Sequence, residues 1–171
     1  MKRLALAIAL IPALTGMSVA PDTGLPLTPP PGWASIDTKS MSIPNTTVLF
    51  AWRDPSTKPG QFGQNINVSY QTFPGTLQSF GDVSLAQIHT AYPDATIETS
   101  ALTTVCGLTA YRFAWSGPVI PGMLLHFDQV AVKTDDGVEF ATYTRESAKP
   151  ANADALAALE TFCHPAEPEA S

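Results

Sequence analysis

The side chains able to do chemistry are few. His126 and Asp128 stand two residues apart in the alternating run 124–134, so in an extended strand they share one face. An imidazole and a carboxylate at that spacing could ligate a metal ion if a third ligand came from elsewhere, or serve a metal-assisted hydrolase. Alternating polar residues on the solvated face of a sheet are the plainer reading of the same pair. The remaining imidazoles are His89 and His164. Ser116, before Gly117, is the nearest candidate nucleophile, but no G-x-S-x-G pattern supplies the strained turn that exposes a catalytic serine. Asp135 and Asp136 read as turn residues. With no phosphate-binding loop and no metal-ligand spacing, the expectation is a protein that is not an enzyme and has no cofactor or metal.

Cysteine chemistry depends on compartment, and the N-terminus speaks to that. Lys2 and Arg3 precede an apolar run, residues 4–14, and the small residues Ser18, Val19 and Ala20 follow. The run is about half the ~20 residues that span a bilayer and is interrupted by Pro12. Residues 1–20 are therefore expected to be a secretory signal peptide cleaved near Ala20, with no stable membrane insertion afterwards. In an oxidising compartment Cys106 and Cys163 form one disulfide, worth roughly 4 kcal/mol in the chain-entropy model. No C-x-x-C spacing marks them as a redox pair. Cleavage removes two of nine basic residues and none of fifteen acidic ones, leaving a net charge of −8. Such a balance disfavours nucleic acid and broad adhesion to anionic lipid.

These groups must be positioned by a single domain, because 171 residues, 44% of them apolar and 14% charged, suffice for one sizeable core. Residues 108–115, 124–134 and 138–145 read as an antiparallel meander. Residues 33–37, 47–53, 65–73 and 97–105 read as further strands, the last a threonine-rich edge. The spacing predicts a helix over 82–92, with Ser84 and Gln87 at capping-box distance. A second helix is expected after Asn152, burying a stripe of Leu156, Leu159, Phe162 and Cys163. Residues 21–31 form a proline-rich lead-in, 32–164 the domain and 165–171 a disordered tail.

This element order, with a Pro-Pro-Gly-Trp entry into the first strand and the segment Q-V-A-V-x-x-D-D-G-V-E-F-A-T-Y-T at 129–144, resembles the PsbP-like superfamily. That superfamily includes Ran-binding Mog proteins and bacterial envelope proteins of the DcrB and LpqN type. The resemblance covers about residues 30–163. It implies an α+β fold, an antiparallel sheet of six or seven strands with helices packed on its faces, and members that act by binding rather than catalysis. The expected function is that of an exported accessory protein of the bacterial envelope, with an unidentified envelope protein as partner. A small-molecule or lipid-binding module is the other alternative, and requires a cavity between sheet and helix. The partner-contact candidates are Val119, Ile120 and Met123, apolar residues in the loop 116–123 that Pro118 and Pro121 stiffen. The competing reading folds Val119 and Ile120 back onto the core.

Overall fold

The structure, a computed structural model, describes residues 27–162 apart from 40, 42, 44 and 59. The expected signal peptide, residues 21–26 of the lead-in, Cys163, His164 and the 165–171 tail lie outside the described residues. The elements are β1 (Ala34–Ser35), β2 (Thr47–Arg53), β3 (Asn65–Thr72), α1 (Leu77–Ala91), β4 (Thr96–Val105), β5 (Leu108–Ile120), β6 (Met123–Lys133), β7 (Gly137–Glu146) and α2 (Ala153–Glu160). The seven strands form one open antiparallel sheet in the order β1-β2-β3-β7-β6-β5-β4. The meander starts at one edge with β4 and returns until β7 pairs with β3, from Asn65↔Thr144 to Thr72↔Gly137. Helix α1 carries the chain from β3 to that far edge.

Two turns fix the meander's register. Cys106 and Gly107, at φ of 49° and 80°, make the two-residue connection from β4 to β5; both backbone positions are left-handed, as a type I′ hairpin turn requires. Pro121 and Gly122 connect β5 to β6. The predicted loop 116–123 is thus almost entirely strand. Pro118 is accommodated because it lies where the register shifts between Gly117 and Ile120, so the ladder does not depend on its missing N–H.

Helix α1 begins five residues before the predicted 82. Its N-cap is Thr76, whose hydroxyl accepts from the Ser79 N–H at 3.1 Å. Ser84 is buried in the helix interior rather than capping it. Gly81 explains why the helix lies so close to the sheet: a Cβ there would come within 2.2 Å of the Tyr111 ring. Helix α2 has the expected cap, with Asn152 Oδ1 accepting from the Ala155 N–H at 3.0 Å.

Alternate residues of the same strands feed two cores, which therefore lie on opposite faces. One gathers Leu77, Phe80 and Ile88 of α1 with Tyr111, Phe113, Trp115, Phe127 and Phe140. The other gathers Ala155, Ala158 and Leu159 of α2, with Phe162, against Ile66, Val68, Val130, Ala141 and Tyr143. Full burial of Leu159 and Phe162 contributes about 1.5–3 kcal/mol each. Leu27 joins this second core, so packing starts within the lead-in, ahead of Trp33. Trp33 itself packs at 6.3 Å from the Tyr143 ring.

The polar side of β3 is not solvated. Asn65, Asn67, Ser69 and Gln71 are all buried, because β3 is an interior strand between β2 and β7. Part of this face is hydrogen-bonded internally: Ser69 Oγ donates to Asn67 Oδ1 at 3.1 Å, Trp115 Nε1 to Gln129 Oε1 at 3.1 Å, and Gln129 Nε2 to Thr142 Oγ1 at 2.9 Å.

Candidate functional site

The sheet register brings the sparse polar chemistry of the sequence together. Ser116 on β5 lies directly opposite His126 on β6, and Asp128 follows on the same face of β6. The bulge in β4 between Ile97 and Thr99 adds Glu98, which the sequence reading did not single out. Ser116 Oγ is 2.9 Å from His126 Nδ1, Glu98 Oε1 is 3.1 Å from the same nitrogen, and Asp128 Oδ2 is 3.2 Å from Nε2. The Ser116 hydroxyl also donates to Glu98 Oε1 at 2.9 Å. His126 is only 6% exposed, so it does not lie on the solvated face that alternation suggests. Glu98, with its side chain 47% exposed, forms the outer rim.

Two hydrogen-bond arrangements fit this cluster. Ionised carboxylates only accept, so Asp128 calls for a proton on Nε2. The one hydroxyl hydrogen of Ser116 has two acceptors within reach, Glu98 Oε1 and His126 Nδ1, and when it is on Glu98 the Nδ1 atom faces two oxygens. In that arrangement both ring nitrogens donate to carboxylates, whereas with the serine hydrogen turned to Nδ1 that nitrogen accepts. A catalytic triad corresponds to the second arrangement, a neutral ring with its lone pair on the serine. Ser116, however, lies within a strand rather than on a strained turn. A metal centre fares no better, since Glu98 and Asp128 address opposite ring nitrogens and do not converge on one point. Among the described residues no three His, Cys, Asp or Glu side chains are arranged to hold a metal ion.

The neighbouring strand supplies the positive and phenolic side chains. Arg145 on β7 is the register partner of His126, and its Nη1 donates to the carbonyls of Ser147 and Lys149 at 3.4 and 2.9 Å. Tyr143, the partner of Asp128, donates its hydroxyl hydrogen to Gln64 Oε1 and accepts from the Asn152 N–H at 2.9 Å. Burial pushes the Tyr143 phenol above its usual value, although the Asn152 bond and Arg145 act the other way. The cluster is thus tied through β7 to the start of α2.

Elsewhere the sequence candidates are scattered. Val119, Ile120 and Met123 are half-buried against the α1-side core, whereas their neighbour Leu124 is 53% exposed. Asp136 accepts from the Tyr70 hydroxyl at 2.8 Å, as a turn residue anchored to the sheet. His89 is exposed on α1. Cys106 Sγ lies 3.2 Å from the Glu160 carbonyl at the end of α2, three residues before Cys163. No helix among the described residues is long and apolar enough to cross a membrane.

No family model matches the chain, and no curated protein does. Solved structures do. LpqN of Mycobacterium tuberculosis, described as involved in cell envelope biogenesis, superposes with a TM-score of 0.53 at 14% identity, covering 80% of this chain and 78% of LpqN. PA94 of Pseudomonas aeruginosa, a protein of unknown function, superposes at 0.52 and 14% identity, covering 68% of this chain and 84% of PA94. These likenesses show that the chain has an LpqN-type fold.

Proposed function

We propose that the chain is an exported accessory protein of the bacterial cell envelope that acts by binding another envelope protein and not by catalysis. The observation that carries this reading is the fold shared with LpqN over 80% of the chain, the neighbour whose described role is in envelope biogenesis. Two further features agree with it. The polar atoms around His126 find partners among Ser116, Glu98 and Asp128 without any ligand, and the net charge of −6 disfavours nucleic acid. The contact is placed at the tip of the β5–β6 hairpin, where Ile120 and Met123 form the half-buried base and Leu124 the exposed apolar point. Photo-crosslinking in cells, with the crosslinker at position 124, tests this. A recurrent adduct with one envelope protein, lost from a control position such as His89 on α1, is the expected result. Equal, diffuse adducts from both positions count against it.

A second reading has one specific observation behind it, the chain of contacts Ser116–His126–Asp128. If Glu98 swings into solvent, the serine hydrogen is free to turn to Nδ1, and a hydrolytic dyad supported by Asp128 results. A fluorophosphonate probe separates the readings. The binding reading predicts that Ser116 stays unlabelled in wild type and in Glu98→Ala; hydrolysis predicts labelling that Ser116→Ala abolishes.

A further inference from the structure

We infer that β4 is a self-association edge, through which two copies of the chain join their sheets antiparallel about a twofold axis at Leu102. Among the described residues no strand lies beyond β4, so the outward backbone N–H and C=O groups of a ten-residue strand have no ladder partner. The opposite edge, β1, is two residues long and offers no comparable template. Edge strands are ordinarily protected by lysine, proline, a bulge or an inward charge. In β4 the bulge between Ile97 and Thr99 and the charge of Glu98 protect one end, and the Cys106–Gly107 turn closes the other. Between them residues 99–105, Thr-Ser-Ala-Leu-Thr-Thr-Val, contain no charge, proline or glycine. Leu102 is 48% exposed at their midpoint.

What commits this edge to a second copy is that the stretch can pair with itself about its midpoint without a clash of charge. Antiparallel pairing centred on Leu102 sets Leu102 against its equivalent, Ala101 against Thr103, Ser100 against Thr104 and Thr99 against Val105. Each opposition is of a kind that stabilises sheets: an apolar pair, a small side chain beside a branched one, a hydroxyl pair and a β-branched pair. No like charges face one another, because Glu98 falls outside the paired stretch. Leu102 also borders, with Pro74, Thr76, Leu77 and Thr109, an apolar groove beside the start of α1. In the pair, Leu102 of the second copy completes the open side of that groove.

Sedimentation velocity on the full chain recovered from cells tests the inference. The expected result is a concentration-dependent dimer that tightens several-fold as ionic strength rises from about 0.05 to about 0.5 M, since screening relieves repulsion between two acidic chains. Leu102→Lys, which opposes two like charges at the axis, should weaken the dimer at least tenfold without unfolding the chain, because the side chain is half exposed. Leu102→Cys should give a covalent dimer on mild oxidation while Val83→Cys, on α1, does not. A chain that stays monomeric to about 1 mM overturns the inference. So does a dimer indifferent to Leu102→Lys, or a Leu102→Cys adduct formed with another protein instead of a second copy.

Discussion

His126 is the centre of the polar cluster, since three oxygens, from Ser116, Glu98 and Asp128, surround its two ring nitrogens. Removing the ring leaves the oxygens of Ser116, Glu98 and Asp128 without their shared partner. His126→Ala should therefore cost about 2–4 kcal/mol in chemical denaturation, below the upper end for a buried pair because Glu98 is half in solvent. Ser116→Ala removes one hydrogen-bonding group from a rim and should cost about 1 kcal/mol. Equal losses from the two variants would contradict the central place of the ring. Tyr143 allows a pH test. Its folded value is raised above 10.0, chiefly by burial, so its contribution is fully present below pH 10 and is lost as pH climbs towards the folded value, the unfolded chain ionising first. Unfolding free energy should fall above about pH 10, and Tyr143→Phe should lessen that slope. A residual slope should remain, because burial raises Tyr92 in the same direction. At neutral pH the same variant should cost about 1–3 kcal/mol, from the lost bonds to Gln64 and Asn152.

Among the elements, strands were legible wherever alternation is uninterrupted: β2 runs over the predicted residues, and β3, β4, β6 and β7 lie within about a residue of them. The edge position of β4 was also legible, in its threonines and thin hydrophobicity. Helix α1 was not, because its first turn is occupied by Leu77 and Phe80 after a proline and a glycine, and the cap that starts it, Thr76, has no acidic residue behind it in the first turn. Of the polar cluster, the sharing of one face by His126 and Asp128 was readable from a spacing of two. Glu98 was not, since a bulge in β4 brings it there and no local pattern announces a bulge. The burial of Asn65 to Gln71 was likewise invisible, as alternation reports two faces without saying that both are covered. Gly81 offers a direct test of the α1 packing. Gly81→Ala gains helix propensity but drives a methyl into the Tyr111 ring, so thermal denaturation should show a net loss of about 1–3 kcal/mol. A stabilised variant would mean that the helix does not rest on that ring.

For the whole molecule, compartment, disulfide and binding role stand together. Cys106 lies at the turn that starts the meander, beside the end of α2, so a bridge to Cys163 would tie the terminal segment to the sheet edge. Such a bridge forms only if the chain leaves the reducing cytosol. The proposed export is tested by the intact mass of the chain from fractionated cells, before and after alkylation under denaturing, non-reducing conditions. The account predicts a species in the envelope or medium that lacks residues 1–20, weighs two hydrogens less than its dithiol and takes no alkyl label. A cytosolic species beginning at Met1, with both cysteines labelled, would contradict it.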